Sequence, residues 1–132
     1  MLETNQAKLK EWAENHNMPT PSDARYLGTI FNGVIKGVVV YCGFYGKSCN
    51  VHITGDGSHW ATKDFLKWVF ALPFKKWNLK VIIGTVAGSN KKALKLDRHL
   101  GFREVATIAD AHNDGDLVIL EMRPADCRYL GD

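Results

Sequence analysis

The chain switches between two hydrophobic periods, and those switches divide it into elements. Residues 3–15 place Leu9, Trp12 and Ala13 at the i, i+3, i+4 spacing of one helix face. The stretch Asn17-Met18-Pro19-Thr20-Pro21-Ser22-Asp23 cannot continue that helix, because its two prolines and small polar residues favour a turn. Tyr26–Phe31 and Val34–Phe44 are rich in β-branched and aromatic residues and flank Asn32-Gly33, the strongest short hairpin signal. Tyr45-Gly46-Lys47-Ser48 then turns the chain into a third strand, Cys49–Thr54, which predicts a three-stranded antiparallel meander.

The run Gly55-Asp56-Gly57-Ser58 ends that strand, and Phe65, Trp68, Val69 and Leu72 fall at helical spacing, predicting a helix over 60–72. Pro73 ends or kinks it. Val81–Val86 is almost wholly apolar, as a central strand covered on both faces would be. A helix follows to Leu100, with Leu96 and Leu100 on its buried stripe and Gly101 as its C-terminal cap. Residues 103–109 and 117–122 predict a closing hairpin around a loop, Asp110–Asp116. The order α, three β, α, β, α, β, β is that of an α/β (α+β) domain with a mixed central sheet flanked by helices. A parallel crossover is expected in its middle.

Composition narrows this little further. At 132 residues, one domain spanning 1–132 is expected. Four Trp, four Tyr and six Phe exclude a disordered chain. No apolar run suggests a membrane span or a signal core, so a cytoplasmic location is expected. The three cysteines form no CxxC pair, and the five scattered histidines have no metal-ligand spacing, so neither disulfides nor a metal site is expected. Charge is more informative. Lys75–Arg103 holds eight basic residues and one acid, Asp97, whereas Glu104–Asp132 holds seven acids and two arginines. A basic middle of this kind suits a polyanionic ligand, although solvated helix faces account for it equally well.

Two segments could receive such a ligand. In Gly55-Asp56-Gly57-Ser58-His59-Trp60-Ala61-Thr62, glycines relax the exit from a strand, and the next helix offers unpaired N–H groups that favour phosphate. An ordinary strand-to-helix turn would use the same residues. In Gly88-Ser89-Asn90-Lys91-Lys92-Ala93, Ser89 or Asn90 can cap a helix, while Lys91, Lys92 and Lys95 add positive charge. Helices leaving the carboxyl ends of neighbouring parallel strands frame the crevice where open α/β sheets hold ligands. Trp60 and Trp68, at helical spacing, are read as core, Tyr41 and Tyr45 as strand packing, and Cys42 and Cys49 as small buried hydrophobes.

The element order, the pattern Asn90…Ala93…Leu100-Gly101-Phe102 and the closing strands resemble the GCN5-related N-acetyltransferases over about Tyr26 to Met122. The ending, Asp114-Gly115-Asp116-Leu117-Val118-Ile119-Leu120 with Asp126-Cys127-Arg128-Tyr129-Leu130, looks like short phage- or prophage-encoded members. The resemblance implies a three-layer fold in which Cys49–Gly55 and Val81–Val86 splay apart and hold the pantetheine arm of acetyl-CoA between them. It implies cofactor contacts from Ile53, Thr54, Gly57, Ser58, His59, Trp60, Ala61, Thr62, Asn90 and Lys92. It places Asp97 seven residues after Asn90, where many members carry a tyrosine as general acid. On the bare helix pattern Asp97 instead projects toward solvent or caps a charge network. The family's first strand is not evident in front of the hairpin.

The chemistry implied is acetyl transfer to an amine of a protein or small molecule, with a backbone N–H near Ile53 polarising the thioester carbonyl. His52 is the candidate base by its ordinary pKa, and alternation sets it opposite to Val51 and Ile53. A lysine amine near ~10.4 and an α-amino group near ~7.7 differ by roughly 3.7 kcal/mol in deprotonation, so a weak base favours the latter. The alternative class is an inactive acyl-CoA-binding interaction module of a phage. Nucleic acid is set aside as a partner, and a homodimer through a closing strand is an expectation.

Overall fold

The meander forms where the hairpin signals place it. In the computed structural model, which describes residues 1–131, β2 (Arg25–Phe31) and β3 (Val34–Tyr45) are joined through Asn32 and Gly33 at φ 52° and 76°. The strand β4 (Ser48–Gly55) completes it, antiparallel to β3. The first helix, α1 (Gln6–Asn15), starts later than its apolar spacing predicts, because Asn5 caps it by accepting the Lys8 N–H at 3.1 Å. Leu2–Glu3, in front of the cap, is a strand, β1, antiparallel to β2 at Thr29 and Gly28. The first strand therefore exists, and at two residues it is too short to display a period.

The second helix, α2 (Lys63–Ala71), also starts three residues after the predicted point. Thr62 caps it by accepting the Phe65 N–H at 3.1 Å, and Trp60 stays outside it. The indole of Trp60 is buried against Gly37 and Gly55, so close that a Cβ at Gly55 would overlap the ring. Pro73 ends α2 through one π-helical turn, Leu72–Lys76. Then come β5 (Val81–Ala87) and α3 (Lys91–Leu100), capped by Asn90 at one end and by Gly101 at φ 118° at the other. The closing strands β6 (Arg103–His112) and β7 (Gly115–Met122) run longer than predicted. Asn113 and Asp114 alone separate them, and register shifts in β6 disguise its alternation.

The seven strands lie in the order β1-β2-β3-β4-β5-β7-β6, and β4 and β5 are the parallel pair. Helices α2 and α3 cover one face, burying Phe65, Val69, Phe70, Leu94 and Leu100 with Val39, Tyr41, Ile82 and Leu120. On the other face α1 packs Leu9 and Ala13 against Val38 and Val40. This is the expected mixed sheet in a three-layer α/β fold. Tyr41 is fully buried, and its hydroxyl donates to the Val69 carbonyl at 2.6 Å, tying the sheet to α2. No described helix is long and apolar enough to cross a membrane.

Candidate active site

The sheet is continuous except at its parallel pair. Ser48, Cys49 and Asn50 pair with Val81, Ile82 and Ile83, and there the ladder stops, although β4 continues to Gly55 and β5 to Ala87. Each strand remains paired on its other side, β4 with β3 and β5 with β7. Two strand edges thus face each other across a gap in the middle of a sheet, with backbone donors and acceptors that neither supplies to the other. The gap is a slot of about 490 Å³ lined by Val51–Thr54, Gly84–Ala87, Asn90, Ala93 and Asp97, with Asn17–Pro19, His112 and Asp114 at its rim.

Two titratable side chains approach this slot from opposite faces of the sheet. His52 lies across from Val40 in the ladder and so shares the α1 face, opposite to Val51 and Ile53 as alternation predicts. Burial holds its pKa below the usual 6.5, so the imidazole is neutral at pH 7. Asp97 belongs to α3 on the other face. Its Oδ2 stands 3.6 Å from the point a side chain at Gly84 would occupy, beside Phe102. The carboxyl does not project toward solvent, one of the two places the bare helix pattern allows it. Burial raises its pKa from 3.8 to about 6, and among the described residues no hydrogen bond or ion pair holds it. Its neighbour Arg98 is engaged with Glu104.

Of the residues the sequence singles out, His52, Ile53, Thr54, Asn90 and Asp97 are brought together on the slot wall. The side chains of Gly57–Thr62 and Lys92 are not. His59 stacks on Phe31 with ring centroids 4.3 Å apart, Trp60 is core, Thr62 caps α2, and Lys92 is exposed on α3. Because the helix begins at Lys63, residues 58–61 are a loop rather than a first helical turn. The backbone of that loop is available all the same. Asp56 N–H is spent on the Lys36 carbonyl and Thr62 N–H on that of Trp60, but the amides between them donate to no described residue. Asn90 uses its Oδ1 to cap Ala93 N–H at 3.1 Å.

Other readings change. Trp68 is 52% exposed rather than core, and Tyr45 stands in solvent at 85%. Cys42 and Cys49 are buried as expected, and burial pushes the Cys49 thiol up to about 12, far from nucleophilic use. Asn17–Pro19, Thr85, His112 and Asp114 line the slot, and the sequence assigns none of them a role at a site. They come from a turn, a strand and a hairpin tip distant in sequence, so no local motif could have announced them. Among the described residues no group of metal-binding side chains occurs.

An acyl thioester with a pantetheine arm fits this arrangement on the structure's own evidence. The facing strand edges suit an extended chain carrying amides, and the successive free amides after β4 suit a diphosphate. Comparison with known proteins agrees at the level of the fold. No family model matches the chain, and no curated protein does. Among solved structures, a spermidine N-acetyltransferase (SpeG, F149A mutant) from Vibrio cholerae superposes with TM-score 0.69 at 19% identity. That match covers 95% of this chain and 78% of the other. A ribosomal-protein-S5-alanine acetyltransferase from Vibrio fischeri gives 0.68 at 19% identity, over 92% and 70% of the two chains. Splayed parallel strands, a helix on one face and two on the other, and the β5-β7-β6 ending therefore give this chain the fold of the GCN5-related N-acetyltransferases.

Proposed function

We propose that the chain is an N-acetyltransferase that moves an acetyl group from acetyl-CoA to the nitrogen of a small-molecule or peptide amine. One observation carries this reading. The gap between β4 and β5 passes through the sheet with a base candidate, His52, on one face and an acid candidate, Asp97, on the other. Bound acetyl-CoA supplies an activated acetyl thioester. The strand edges at Val51–Thr54 and Gly84–Ala87 orient it, and the loop amides of Gly57–Ala61 hold its diphosphate. A β4 amide near Ile53 polarises the carbonyl as charge develops there.

His52, neutral because it is buried, accepts the proton that the amine nitrogen releases. Asp97 offers the proton that the departing sulfur needs from the opposite face. With its pKa raised to about 6, about a tenth of the molecules keep that proton at pH 7. Titration calorimetry with acetyl-CoA, with ATP as a control, tests the binding. Micromolar affinity is expected, and absence of heat together with absence of a thermal shift would end the reading. His52→Gln and Asp97→Asn should each lower kcat about 10²-fold, read as thiol release.

A further inference from the structure

We infer that the hairpin joining β2 to β3 belongs to the cofactor site, and that Phe31 is a positioning residue that holds the diphosphate loop through its stack on His59. The inference rests on the transferase reading above and deepens it by naming what shapes the loop after β4. The hairpin holds that loop at three points. The Asp56 N–H donates to the Lys36 carbonyl at 2.7 Å. Trp60 packs on Gly37, where an added Cβ would stand 3.0 Å from the Cβ of Trp60. Between these two anchors the His59 ring lies flat on Phe31, with centroids 4.3 Å apart and planes 6° from parallel.

The stack matters because of what it steadies. Gly57 sits at φ 80°, and Ser58 and His59 are exposed. The N–H groups of Gly57–Ala61 donate to no described residue, so no backbone hydrogen bond of their own fixes where they point. A loop held in one shape before the diphosphate arrives loses less conformational freedom on binding than a free one. Phe31 comes from a different strand and acts on these amides through His59. It is 41% exposed, so removing its ring should disturb the loop more than the core. An aromatic pair in such contact is worth about three- to tenfold in an equilibrium constant.

Acetyl-CoA affinity, measured by titration calorimetry on the native chain and on folded variants, tests the inference, with urea unfolding midpoints to establish that each variant is folded. Phe31→Ala and Phe31→Leu should each weaken binding about three- to tenfold, and Phe31→Tyr, which keeps a stacking face, should stay within about twofold of the native chain. His59→Ala should lose at least as much as Phe31→Ala. Adding Phe31→Ala to His59→Ala should then weaken binding no further, because the two rings act as one unit. Native affinity in both Phe31→Ala and Phe31→Leu, a Phe31→Tyr as weak as Phe31→Ala, or losses that add in the double variant would each overturn the inference and leave the transferase reading intact. Absence of acetyl-CoA binding by the native chain overturns both.

Discussion

Asp97 is a carboxyl that the fold holds at a cost. Its pKa rises from 3.8 to about 6 because the slot wall excludes water and supplies no cation. The folded chain therefore binds a proton more tightly than the unfolded one. Stability from this group is greatest below pH 3.8, declines as pH rises through 6, and is lowest above that. The difference corresponds to about 3 kcal/mol. Asp97→Asn should accordingly stabilise the chain by up to about 3 kcal/mol at pH 8 and by almost nothing at pH 3, read from urea unfolding midpoints. A gain in stability together with a loss of turnover marks a group kept for chemistry. In the native chain the rate should fall as pH rises past about 6, and that limb should vanish in Asp97→Asn.

Among the elements, the strand-to-helix passage after β4 depends most on one small residue. Trp60 fills the space above Gly55, so Gly55→Ala must displace the indole or the strand end, and a loss of about 1–3 kcal/mol is expected in thermal or urea unfolding. The same displacement would shift the loop amides of Gly57–Ala61, so acetyl-CoA affinity should fall with it. This passage also shows what the residues disclose and what they conceal. Asn32-Gly33, the apolar run Val81–Val86, Asn90 and Gly101 announce their elements because each signal is local and chemical. The start of α2 is misplaced because Trp60 imitates helical spacing while packing on a sheet. β1 and the far end of β6 escape because one is too short and the other too irregular for a period. At the slot, alternation puts His52 on the face it occupies, and the resemblance draws attention to Asp97 by its place after Asn90. His112 and Asn17–Pro19 depend on tertiary folding alone.

For the whole molecule, the two borders of the sheet are finished differently. At one border Gln6 stands in for a missing strand. Its Nε2 donates to the Tyr26 carbonyl and its Oε1 accepts the Tyr26 N–H, both at 2.8 Å. Glu3 accepts the N–H groups of Thr4 and Asn5, the residues that lead from the short β1 into α1. At the other border every residue of β6 is exposed over ten positions, Val105 and Ile108 among them. One border is therefore short and partly covered, and the other presents a long exposed strand. If that edge pairs with the same edge of a second copy across a two-fold axis, the pairing uses it up on both partners and growth stops at two. Sedimentation over a wide concentration range should show one-fold and two-fold masses alone, and Gln6→Ala, by uncovering β2, should admit larger species.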